Sequence, residues 1–450
     1  MRTGAVPRRG RVPGSTRASV ERLAGGRRVV LVSVDPATRL GALAGDDSLT
    51  IASGAGLALS QRLPLVVSLS SSGADLHDGP YALDGWGRAA RALARCSGVV
   101  PVIAVSFGLA VSGPALLLGM TDVVIMTPDA VAYLSGPAAV ADLTGLRLGP
   151  GQLGGQEIHS RSTGIAALAA PDLDSAMDLA GEVLGYLPDH TDSLPPPSDS
   201  ADPPDRPTPE LRLVLPATDT GTYDVRTVIR AVADDAEMLE LRAAWAPQLV
   251  TALVHIDGRA VGVVANQPQA MAGTLDIAAA QKGARFVSFC DTFNVALLTL
   301  VDTPGFMPGR DLEWRGMIRH GAQLVYAYAE ATVPRVCLIL RKAFGGAYIV
   351  MDSKAMGNDV CLAWPGAQVA VMGAQGAVQI LHRRADPGTR KQLADRYQDD
   401  FLNPYVAAAR GFIDQVIDPG DTRKAVGDAL RMLEPKREHL VARGHGNGPM

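Results

Sequence analysis

The run Arg341-Lys-Ala-Phe-Gly-Gly-Ala-Tyr348 follows an apolar segment and leads into a helical one. With no side chain at Gly345 or Gly346, a ligand can reach the main chain there. The N–H groups of Gly346 and Ala347 then face it from the positive end of the next helix dipole. Such donors form an oxyanion hole, which steadies charge growing on an oxygen without any acid or base side chain. The same glycines would also suit a close helix–strand crossing, where they serve packing alone. A matching turn at Val111-Ser-Gly-Pro114 favours the functional reading.

Other patterns carry less chemistry. Leu300-Val-Asp-Thr-Pro-Gly-Phe306 contains the DxxG of a GTPase switch, but no phosphate-binding GxxxxGK(S/T) run precedes it. Gly149-Pro-Gly-Gln-Leu-Gly154 matches GxGxxG, with Asp174 20 residues on, yet lacks the strand before it and the apolar helix after it. A loop is expected there. Ser112 is not set in a GxSxG elbow, and no histidine pair has zinc spacing, so no metal site is expected. His159 and His320 sit in polar stretches and read as structural, and Asp234-Asp-Ala-Glu237 reads as a solvated helix start. Without a paired-carboxylate machine, the base must come from a partner or a cofactor.

The elements that position these turns follow from composition and repetition. The 450 residues are 47% hydrophobic and 20% charged, an ordinary globular balance, with a net charge of −4. That charge leaves no basic face for nucleic acid. The four cysteines are scattered and form no CxxC pair, as expected of a reducing, cytoplasmic setting. Cys96 to Thr121 is free of charge and long enough to span a membrane, but its prolines, glycines and serines fit a strand, turn and buried helix instead. Residues 1–28 hold eight arginines among prolines and glycines and read as a disordered basic arm without a secretory signal. Seven prolines between Leu194 and Pro209 mark a linker, placed at residues 193–212. The domains expected on either side are residues 29–192 and 213–450.

The two halves repeat one another. Pro101 to Gly113 and Pro334 to Gly346 both span 12 residues, Asp122 to Pro128 and Asp359 to Pro365 both 6, and Pro128 to Gly136 and Pro365 to Gly373 both 8. Upstream, an apolar strand runs into Gly73, 40 residues before Gly113, and another into Gly305, 41 before Gly346. Each half alternates short apolar strands with helices, which means α/β layers. Units of two strands and a helix, with glycine turns at the strand ends, would wind into a spiral.

With these motifs in place, the sequence resembles the carboxyltransferase (β) subunits of acyl-CoA carboxylases, in the acetyl-/propionyl-CoA branch. The resemblance covers roughly Val29 to Met450 and is densest in the second half: Phe289-Cys-Asp-Thr-Phe-Asn294, Val301-Asp-Thr-Pro-Gly-Phe306, Ile318-Arg-His-Gly-Ala322, Arg341 to Tyr348 and Asn403-Pro-Tyr405. It implies tandem crotonase-like (ClpP/crotonase) ββα spiral domains and transfer of carboxylate from carboxybiotin to the α-carbon of a short acyl-CoA. It implies two main-chain oxyanion sites, at Gly346 and Ala347 for biotin and at Ser112 and Gly113 for the acyl thioester. Substrate contacts are implied at Phe344, Gly345 and Ile349 and at Gly73 and Ala74. The chain shows no biotinyl Met-Lys-Met run or ATP-binding signature. The resemblance therefore implies a partner biotin carboxylase and biotin carrier subunit, and a homo-oligomer, commonly a hexamer.

Departures from the family pattern gather in the first half. Ser112-Gly113 stands where Gly-Gly is usual, and Pro114 follows it, disfavouring helical backbone at Gly113. Asp75 replaces an arginine on the CoA side, and Thr50 and Ser53 stand where lysines are expected. Ile349, acidic in many propionyl-preferring members, leans toward acetyl-CoA. The alternative to an active enzyme is an impaired paralogue that binds a biotin carrier or co-assembles with an active β subunit.

Overall fold

Each half of the protein begins its sheet with an antiparallel hairpin and continues it with parallel strands. The computed structural model describes residues 14–218, 220–436, 438–442 and 446–449. The chain divides into two units: one ends at Leu184 and takes in Asp189–Thr191, while the other holds Gly185–Pro188 and runs on from Asp192.

In the first unit, β1 (Thr16–Arg22) pairs antiparallel with β2 (Arg28–Val34). Parallel pairing then runs from β2 through β3 (Leu65–Ser71) and β4 (Val102–Val111) to β5 (Val123–Met126) and β7 (Leu168–Ala169), with the short β6 (Val131–Tyr133) added to β4. Every residue of β3 is buried, as its β-branched and leucine content requires of a strand covered on both faces. α1 (Gly45–Gln61) and α2 (Pro80–Cys96) pack together closely. A Cβ on Gly85 would stand 2.8 Å from Gly45 Cα, so these glycines let the helix backbones touch.

The second unit repeats the plan. After the extra strand β8 (Leu239–Leu241), β9 (Leu249–Ile256) and β10 (Arg259–Asn266) form the hairpin. Asp257 and Gly258 make its two-residue turn at φ 53° and 72°, the primed turn that suits strand twist. β11 (Ala296–Thr303), β12 (Arg335–Phe344), β13 (Val360–Ala363) and β15 (Gln415–Val416) follow in parallel, with β14 (Gln368–Ala370) added to β12. The helices α4 (Ile277–Thr292) and α5 (Met317–Glu330) take the places of α1 and α2. The duplication extends to detail: the ladders of β3–β4 and β11–β12 both slip near their ends, between Leu69 and Ser71 and between Val301 and Thr303.

Two expectations need correcting. Residues 1–13 of the expected arm lie outside the described residues, but Thr16–Arg22 is an ordered edge strand. Its charges sit on the exposed edge, where they discourage pairing with other chains. The proline-rich stretch is extended, yet it is fastened to the second unit. Fully buried Arg423 donates to the carbonyls of Asp202 and Pro203 and pairs with Asp234, and Ser198 donates to Gly258.

Candidate active site

In the second unit the site forms where β12 ends and the short helix α6 (Gly345–Val350) begins. The strand end is clamped from below. Arg341 pairs with buried Asp302 at 3.0 Å, and Asp302 accepts the Lys342 N–H at 3.1 Å. Burial raises the Asp302 carboxyl above its ordinary value against the pull of Arg341. The carboxylate is thus spent inside the fold and belongs to no nucleotide switch. Gly345 takes φ 59°, where a side chain is strained, and a Cβ there would press 3.1 Å from the Val371 carbonyl. Around Gly346 the nearest atom to an added Cβ is Phe306 at 3.8 Å, so the main chain is open to a ligand. The first amides of a helix have no intrahelical acceptor, which leaves those of Gly346 and Ala347 for a bound oxygen.

Gly345, Gly346 and Ile349 line a cavity of about 550 Å³, whose other walls include Tyr348, Tyr397, Phe401 and Arg410. Ala347 is fully buried and, unlike Gly345 and Gly346, does not line that cavity. Phe344 packs into the core with Ala374, Val378, Ala394 and Leu402 and does not line that cavity. The wall residues at 397–412 escape sequence reasoning because helical segments remote from the glycine turn supply them. Their only local signal is the aromatic spacing of Tyr397 and Phe401, whose rings meet tilted with centroids 5.0 Å apart.

The first unit carries the corresponding turn between β4 and α3 (Gly113–Leu118). Leu109–Val111 pairs with Val131–Tyr133, as Lys342–Phe344 pairs with Gln368–Ala370. Ser112 therefore stands at the place of Gly345, Gly113 at that of Gly346, and Pro114 at that of Ala347. Ser112 holds φ 60° and ψ −122°. The twist thus falls on Ser112, while Gly113 begins the helix and Pro114 occupies the first turn, where proline is tolerated. The Ser112 N–H donates to the Tyr133 carbonyl at 2.9 Å. Pro114 has no N–H. Of this turn's amides, Gly113 keeps the one that points to no intrahelical acceptor.

Ser112, Gly113 and Ala74 line a cavity of about 180 Å³ together with Leu43, Leu83 and Trp86. Gly73, at φ 113°, makes the turn before Ala74, and its carbonyl accepts the Leu43 N–H. Gly305 repeats that bond with Leu275 in the second unit. Asp75 faces inward and pairs with Arg39, which also holds Asp47 at 2.8 Å. Thr50 and Ser53 donate back to carbonyls of their own helix. Trp86 was missed by motif reading. Its signal was helical spacing, since it shares the inner face of α2 with Ala82, Ala89 and Leu93.

Among the described residues no cluster of histidine, cysteine and acidic side chains could hold a metal. His159 bonds to the Ala132 carbonyl and to Thr163, and His320 to Gln281 and Gln323, so both serve structure. Main-chain amides and two small cavities are what the turns offer.

Two crotonase-like units, each ending its central strand in such a turn, define an acyl-group carboxyltransferase architecture. The chain belongs to the carboxyl transferase family, matching the carboxyl transferase domain over residues 23–448. It is 42% identical over 401 residues to the methylmalonyl-CoA carboxyltransferase 12S subunit of Propionibacterium freudenreichii subsp. shermanii, covering 87% of this chain and 76% of that one. It is equally 42% identical over 444 residues to the propionyl-CoA carboxylase beta chain of Saccharopolyspora erythraea, covering 94% and 81%. The crystal structure of transcarboxylase 12S, a hexamer solved with methylmalonyl-CoA bound, superposes with a TM-score of 0.95 at 39% identity over 97% of this chain and 85% of that one.

Proposed function

We propose that this chain is the carboxyltransferase subunit of a biotin-dependent acyl-CoA carboxylase acting on acetyl- or propionyl-CoA. The observation that carries the reading is the pair of strand-to-helix turns in equivalent register, one on the open wall of a cavity of about 550 Å³ and the other on one of about 180 Å³. When bound, carboxybiotin from a separate carrier subunit supplies the activated carboxyl group and, on releasing it, the base for the α-proton. The amides of Gly346 and Ala347 hold the ureido oxygen on the biotin side, and Gly113 steadies the thioester oxygen on the acyl side. Tyr397 and Phe401 give the larger cavity an aromatic wall. Ile349 gives the larger cavity an apolar wall beside the Gly345–Gly346 turn. Assembly into a hexamer in the cytoplasm belongs to the same reading. No described helix is long and apolar enough to cross a membrane.

The test is carboxylation of acetyl- and propionyl-CoA by the chain reconstituted with its biotinylated partner, ATP and bicarbonate. Product from either thioester, abolished by Gly346→Pro, is the expected result. Absence of product with every acyl-CoA would refute it. One observation supports a second reading: Pro114 and the Ser112–Tyr133 bond together remove two amides from the acyl-side turn. An impaired paralogue would assemble with an active β subunit yet bind no CoA.

A further inference from the structure

We infer that the indole N–H of Trp86 replaces the main-chain donor that Pro114 has removed, and that it donates to the thioester oxygen of the acyl-CoA. This rests on the carboxyltransferase reading above and adds a residue to its acyl-side site. The duplicated register supplies the yardstick. Where the second unit has the amide of Ala347, the first has proline, so its turn alone is one donor short of the pair that stabilises an enolate oxygen.

Trp86 lies on α2 directly against that turn. A Cβ built on Gly113 would stand 2.5 Å from Trp86 Nε1 and 2.6 Å from Cδ1. The N–H edge of the ring therefore abuts the Gly113 main chain, and only glycine leaves room for it. Nε1 is buried and, among the described residues, has no hydrogen-bond partner. Leaving such a donor unpaired costs about 1–3 kcal/mol, a penalty that an arriving acceptor would relieve. Trp86, Ser112 and Gly113 border the same cavity, whose other walls are largely apolar, and a donor in such surroundings acts strongly on developing charge. The α1–α2 contact through Gly45 and Gly85 fixes the ring's approach.

The experiment uses the reconstituted carboxylase and measures kcat and KM for the acyl-CoA with wild type, Trp86→Phe, and the double variant Trp86→Phe/Pro114→Ala. Loss of one oxyanion donor lowers kcat by about 10²–10³-fold, so Trp86→Phe should show a drop of that order with KM little changed. Pro114→Ala restores an amide at the equivalent of Ala347 and should recover most of the loss, which a packing role for Trp86 would not allow. Should Trp86→Phe fail to fold, a benzothienyl isostere at position 86, which lacks only the N–H, must show the same kcat loss. A kcat near wild type in Trp86→Phe or in the benzothienyl variant, or no recovery in the double variant, overturns the inference. Wild type that carboxylates no acyl-CoA instead overturns the functional reading, and this inference with it.

Discussion

Ser112 and Gly345 stand at the same point of the two units with the same left-handed φ, 60° and 59°. The second copy meets that twist with glycine, which carries no penalty there. The first meets it with a side chain, at ψ −122°, in a region costing about 1–3 kcal/mol for a residue with a Cβ. Ser112 is exposed on the cavity wall, so the strain sits beside the site.

Replacing Ser112 by glycine should relieve that strain. Part of the gain is offset by the freer unfolded chain, leaving a net stabilisation of about 1 kcal/mol. The reciprocal Gly345→Ser should destabilise, because its Cβ also meets the Val371 carbonyl at 3.1 Å. Thermal scans at one fixed rate check both. A fall in melting temperature for Ser112→Gly would show that the twist carries no strain.

The duplication was legible because glycines and prolines punctuate both halves at matching intervals, and such residues act through the local backbone. The donor turn at Gly345 and Gly346 was legible for the same reason. What the sequence hid depends on partners far along the chain. Trp86 reads as one more apolar position of a helix until Gly113 is folded against it, 27 residues later. Asp75 reads as a lost cation until Arg39 is seen turned onto it. Phe344, next to the glycines, was expected at the substrate, but it is drawn into the core against Ala374, Val378, Ala394 and Leu402.

Arg39 joins Asp47 and Asp75, whose side chains are only 2% and 9% exposed. Asp47 also accepts the Thr16 N–H at 3.1 Å and so ties β1 to α1. Arg39→Ala would leave two buried carboxylates facing each other without their cation. The expected loss is about 2–4 kcal/mol, below that of a wholly buried pair because a third of the arginine reaches solvent. Adding Asp75→Asn should recover part of it. A melting temperature unchanged by Arg39→Ala would mean that the main-chain donors alone satisfy both carboxylates.

His255 on β9 stacks on Tyr186, with centroids 4.4 Å apart, and its Nε2 is buried without a partner among the described residues. Burial lowers its pKa from 6.5, against the opposing pull of Asp234 and Glu237. The unfolded chain therefore binds the proton more readily. The stability that neutral His255 contributes is present above pH 6.5 and lost as pH falls through the lower folded value, by at most about 1.4 kcal/mol per pH unit for one proton. His255→Phe keeps the stack and removes the titration. Melting temperatures taken from pH 7.5 to 5 should fall more steeply for wild type than for the variant, and parallel curves would exclude His255 as the titrating group.

The two turns also supply a substitution already built into the molecule. Pro114 sits buried at the place of Ala347, so this strand-to-helix geometry accepts a proline ring there. Ala347→Pro copies the first unit's residue into the second, leaving the helix start intact and deleting one N–H of the turn that borders the larger cavity. If that amide holds the biotin-side oxygen, kcat should fall by about 10²–10³-fold, the usual effect of losing one such donor, while the variant melts near wild type. Gly346→Ala is the companion control. Its Cβ meets nothing closer than 3.8 Å and its amide is retained, so its activity should stay well above that of Ala347→Pro. Equal losses in the two variants would mean that shape at the turn governs the rate; full activity in Ala347→Pro would remove that amide from the reaction.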